Sequence, residues 1–67
     1  MQYRKGETID DYIKKVVSHS SMHEINLKIK YKDGVFVILI DEVERFRSSD
    51  LTKFVEKVNL LSLELDF

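Results

Sequence analysis

The sequence predicts an α+β domain, and three observations predict it. Near the start, Ile9, Tyr12, Ile13, Val16 and Val17 recur at helical spacing and form one apolar face. In the middle, two runs of period-two character flank Asp33-Gly34, the strongest short hairpin signal. Further on, Leu51, Phe54, Val55 and Val58 form a second helical face. With 67 residues the chain is read as a single domain, 1–67. A domain of about 60 residues buries only roughly 60% of its unfolded surface, so its stability is marginal. The chain has no cysteine, so no disulfide or thiolate metal site can help.

The first helix is expected from about Thr8 to Ser18. Thr8 can cap it, and Asp10 and Asp11 fall in the first turn, where the helix dipole favours anions. The cluster Ser18-His19-Ser20-Ser21 is read as its end.

The first strand is expected from about Glu24 to Lys32. Ile25, Leu27, Ile29 and Tyr31 alternate there with Asn26, Lys28, Lys30 and Lys32. A type I′ turn at Asp33-Gly34 then sets the register of the second strand, Val35 to about Val43. It pairs Lys32 with Val35, Tyr31 with Phe36, Lys30 with Val37, Ile29 with Ile38, Lys28 with Leu39 and Leu27 with Ile40. Leu27, Ile29, Tyr31, Phe36, Ile38 and Ile40 thus share one face. Lys28, Lys30, Lys32, Val35, Val37 and Leu39 share the other.

The second helix is expected from about Asp50 to Leu60, capped by Ser48 or Ser49. From Leu61 to Phe67, Leu61, Leu63, Leu65 and Phe67 alternate with Ser62, Glu64 and Asp66, which reads as a third strand. The expected architecture is a two-layer α-β-β-α-β fold. Its three-stranded sheet has the order 1-2-3, with the third strand parallel to the second by a right-handed crossover. Both helices lie on one face. On the open face an apolar stripe of Val35, Val37 and Leu39 would run between a basic edge, Lys28, Lys30 and Lys32, and an acidic edge with Glu64 and Asp66.

Little in the chain suggests catalysis. Ile38-Leu39-Ile40-Asp41-Glu42 resembles a Walker B strand, but that chemistry also needs a glycine-rich phosphate loop. The two glycines, Gly6 and Gly34, are in no such context, so solvated acids at a strand end are the simpler reading. His19 and His23 are four apart, yet no third ligand stands near them in the sequence, so they are read as loop histidines and no metal is expected. No nucleophile and base stand in a recognisable pattern. The expectation is a non-enzyme with no cofactor.

Charge narrows the partners. Eleven basic and twelve acidic residues leave a net charge of −1, without the basic excess of a general nucleic-acid binder. No apolar run approaches the roughly 20 residues of a bilayer span, so no membrane role is expected. The first residues lack the apolar stretch of a secretory signal, and a cytoplasmic location is expected. Alanine is absent and lysine and isoleucine are plentiful, as in AT-rich genomes such as those of many low-GC bacteria and their phages.

The expected function is therefore a small protein-binding regulatory or inhibitor module, encoded by a phage or mobile element and acting on a host protein. Self-association as a homodimer through Val35, Val37 and Leu39 is expected, with Lys28, Lys30 and Lys32 of one copy over Glu64 and Asp66 of the other. The alternative is a small nucleic-acid-binding protein that uses the Lys28, Lys30 and Lys32 face. On that face, however, no aromatic residue is interleaved for base stacking.

Overall fold

The computed structural model describes residues 2–67. It is an α+β fold in the order α1 (Ile9–Met22), β1 (Leu27–Lys32), β2 (Val35–Ile40), β3 (Val43–Ser48) and α2 (Leu51–Leu65). The strands form one sheet in the order β1-β2-β3, and both neighbouring pairs are antiparallel. The expected fold class, the three-stranded sheet of order 1-2-3 and the pair of helices all stand. The identity of the third strand does not. It is Val43–Ser48, joined to β2 by a two-residue hairpin, and no helix crosses over between them. Residues 61–67, read as a strand, instead extend α2.

The β1–β2 register is the predicted one, from Lys32 opposite Val35 to Leu27 opposite Ile40. Asp33 and Gly34 both have positive φ, 54° and 76°, as a type I′ turn requires. One face of the sheet carries Leu27, Phe36, Ile38 and Ile40. It meets Tyr12 and Val16 of α1 and Phe54, Val58 and Leu61 of α2 in a single core. Both helices therefore cover the same side. Within this core the Phe36 ring stacks on Phe54 at 4.2 Å and on Tyr31 at 4.4 Å, while Tyr12 meets Phe54 edge-on. Burial, and next to it the Glu7 carboxylate, pushes the Tyr12 hydroxyl up to about 12.

Thr8 caps α1 as expected, its hydroxyl accepting from the Asp11 amide at 3.1 Å. The helix is a turn longer than the serines suggest. Ser20 is fully buried, and its hydroxyl donates to the Val17 carbonyl at 2.9 Å, so it competes with nothing outside the helix. The end comes at His23, followed by Glu24 in the left-handed region at φ 61°. The Ile25 amide reaches the Ser20 carbonyl and the Glu24 amide the Ser21 carbonyl, both at 3.0 Å, which is a Schellman closure without its usual glycine. His19 is accordingly on the helix and not in a loop, and His23 is the helix cap.

Asp50 caps α2, its carboxylate accepting from the Lys53 amide at 3.2 Å, in place of the expected Ser48 or Ser49. Phe54, Val58, Leu61 and Leu65 continue one helical face at spacings of four, three and four, and the first three are buried. Leu63, which the strand reading placed beside Leu61 and Leu65, projects outward and is 81% exposed.

Candidate functional site

The site is the sheet face that neither helix covers. β2 is central and apolar on both sides, because its core-facing residues alternate with Val35, Val37 and Leu39 on the open side. These three are half-buried, walled in by longer side chains on the neighbouring strands. On the β1 side the wall is Lys28, Lys30 and Lys32, opposite Leu39, Val37 and Val35. On the β3 side it is Glu44 opposite Leu39 and Arg47 opposite Val37.

Glu64 and Asp66 do not line this face. Glu64 is in α2, with its carboxylate 3.4 Å from the Arg45 guanidinium, and Asp66 is the C-cap of that helix at φ 59°. The acidic edge expected from them is replaced by Glu44 on β3 and Glu42 in the β2–β3 turn. The sequence reading missed Glu44 and Arg47 as members of the face because it had no strand at Val43–Ser48. Half of their signal was available: a two-residue break after Ile40 aligns Glu44 against Leu39, but it sets Phe46 against Val37, and Arg47 comes there only through the bulge between Ile38 and Leu39.

The charges are sorted along the strands as well as across them. At one end the Lys28 ammonium lies 2.5 Å from the Glu42 carboxylate, with Glu44 across the stripe. A hydrogen bond and attraction from Lys28, with help from Asn26 and Lys30, hold the Glu42 carboxyl below the usual carboxylate range. At the other end Lys30, Lys32 and Arg47 surround Val35 and Val37 in a shallow depression of about 330 Å³ that Asp33 also lines. Arg47 reaches back to Glu44 at 2.7 Å, which lowers the Glu44 carboxyl and raises the guanidinium. The face thus runs from an acid-rich end to a base-rich end over a continuous aliphatic floor.

Elsewhere, His19 and His23 bring their rings to 4.9 Å at the end of α1. Among the described residues no group of three or more His, Cys, Asp or Glu side chains could hold a metal ion. A second cleft, of about 440 Å³, lies where α1 turns into β1, lined by Val17, Ser21, Glu24, Ile25, Asn26, Leu27 and Lys28. Its rim pairs no serine with a histidine. Among the described residues no helix is long and apolar enough to cross a membrane. No known protein family, no curated protein and no solved structure matches the chain.

Proposed function

We propose that this chain is a small non-catalytic protein-binding module, and that it regulates its partner by seating the open sheet face on it. The observation that carries this reading is the position of Val35, Val37 and Leu39. They form an aliphatic stripe on the central strand, on the side that both helices leave bare. An apolar centre within a charged rim is the layout of a protein interface. Nucleic acid is the poorer fit. The face offers no aromatic ring for a base to stack on, and two of its four cations, Lys28 and Arg47, are already engaged by carboxylates.

The test compares affinity capture by wild type with capture by two variants. Val37→Glu places a charge in the stripe and leaves the helix-covered core untouched. Leu63→Glu changes the outward side of α2. Bound proteins should be lost with Val37→Glu and kept with Leu63→Glu. Capture unaffected by Val37→Glu would refute the reading. Salt-sensitive binding to DNA or RNA, lost when Lys30 and Lys32 are changed to glutamine, would transfer the face to nucleic acid.

A further inference from the structure

We infer that His19 and His23, at the end of α1, form a two-histidine site for a divalent late transition-metal ion of the class of Zn²⁺, Ni²⁺ and Cu²⁺. The site is built on the helical layer, apart from the open sheet face, so it stands or falls independently of the protein-binding reading.

The sequence reading sets the pair in a loop, whereas α1 runs on to Met22 and His23 caps it. Four apart at a helix end, the two side chains rise from one face. Their ring centres are 4.9 Å apart. A zinc ion lies about 2.0–2.1 Å from an imidazole nitrogen, and so about 3.2 Å from the ring centre. Two rings that ligate one ion at angles between about 90° and 109° therefore set their centres about 4.5–5.2 Å apart. The observed separation falls inside that window, so the helix already holds the rings at chelating distance. Turning either ring about χ2, a broad torsion for histidine, aims a nitrogen at the ion without moving the ring centre far.

The surroundings favour a cation there. No hydrogen bond or ion pair engages either ring among the described residues, so each neutral ring has a nitrogen lone pair to offer. His23 is exposed and His19 half-buried, with the Phe67 ring 6.1 Å from it as a wall on one side. One turn back on the same face, the Lys15 ammonium is drawn off to Glu7 at 3.0 Å. The carbonyl end of α1 contributes the negative end of the helix dipole. Imidazole donors select late transition ions over Ca²⁺ and Mg²⁺, which take oxygen ligands. Two protein ligands leave the remaining coordination positions to water. An ion spanning His19 and His23 ties the last turn of α1 together just before Glu24, the left-handed residue at φ 61°, so binding stabilises the folded chain.

The experiment is a calorimetric Zn²⁺ titration of the untagged chain, with Mg²⁺ as the control ion. Wild type should take up one Zn²⁺ per chain with a Kd below about 0.1 mM and should ignore Mg²⁺. His19→Asn and His23→Asn each remove one arm of the chelate. Each should weaken binding at least about tenfold, because the second imidazole no longer closes on the ion within the same molecule. Zn²⁺ should raise the thermal midpoint of wild type and leave both variants unmoved. Ni²⁺ followed by NMR needs no variant: its paramagnetism should broaden the amide signals of residues 18–24 before any others, and this series decides alone should an asparagine variant fail to fold by circular dichroism. Wild-type Zn²⁺ binding weaker than about 0.1 mM overturns the inference. So do single variants that bind as tightly as wild type, or Ni²⁺ broadening that begins elsewhere in the chain.

Discussion

The sheet contains two hairpins of the same length, and they are built from opposite materials. β1 and β2 are joined by Asp33-Gly34, β2 and β3 by Asp41-Glu42. Both turns hold two residues at positive φ, 54° and 76° in the first and 51° and 67° in the second. The first uses glycine at the position of larger φ, and a Cβ added there would meet nothing within 4 Å. Its cost is set by backbone preference alone. The second forces two ordinary acidic residues into the left-handed region, at roughly 1–2 kcal/mol each. It is held from outside. The Asp41 amide donates to the Asn26 carbonyl at 2.9 Å, and Glu42 binds Lys28 at 2.5 Å. One turn is local chemistry. The other is imposed by β1 and the segment that leads into it, two strands away in sequence.

Breaking the first turn should have the largest effect. Gly34→Val asks a β-branched residue to hold φ 76° and should cost at least about 2 kcal/mol, seen as a lower urea midpoint with an unchanged slope. A loss below about 0.5 kcal/mol would mean that the sheet, not the turn, dictates this hairpin as well.

The second turn responds differently to glycine. Glu42→Gly relieves strain, but it loses the Lys28 pair and adds unfolded-state entropy, so stability should stay within about 0.5 kcal/mol of wild type. Glu24→Gly, at the left-handed end of α1, has no ion pair to lose among the described residues. It should stabilise by about 0.5–1 kcal/mol. Equal gains from the two changes, measured by thermal unfolding, would show that Lys28 contributes nothing to the turn.

The smallest effect isolates that contact. Lys28 holds the Glu42 carboxyl below its ordinary range. The folded value is the lower one, so the contact's contribution is present above the ordinary carboxylate pKa and fades as pH falls through the folded value. Lys28→Met should raise the Glu42 titration midpoint followed by NMR and flatten this acid-side loss. Both groups are exposed, so the change in overall stability should be slight.

The same contrast explains what could be read from the residues alone. The first helix face, the first hairpin and its complete register were legible because each has a local signature: helical spacing, an Asp-Gly pair and strict alternation. The second hairpin carries no glycine or asparagine, so Ile40-Asp41-Glu42 looked like a strand running into acids. β3 hid for a further reason. A bulge opposite Ile38 and Leu39 inserts Arg45, so the apolar residues Val43 and Phe46 stand three apart and the period of two is lost. The last segment misled in the opposite sense. Alternating leucines suggested a strand, whereas Leu61 and Leu65 also continue the Phe54–Val58 stripe with no glycine or proline to stop it. Val35, Val37 and Leu39, with the three lysines, were correctly placed on the open face. The acidic edge expected at Glu64 and Asp66 depends on a strand where α2 continues; the acids at this face are Glu42 and Glu44.

The Arg45 bulge also bears on how copies of this chain can accumulate. At the β3 margin the extra residue interrupts the regular ladder, and Arg45 is drawn toward Glu64 of the helical layer. At the β1 margin Lys28, Lys30 and Lys32 line the other edge of the sheet. Bulges and lysines are both devices that keep foreign strands from extending a sheet sideways. Growth in width is thus discouraged at either margin. Growth in thickness is blocked on the opposite side, which α1 and α2 cover. The edges along which sheets of separate copies would otherwise join are therefore the guarded ones.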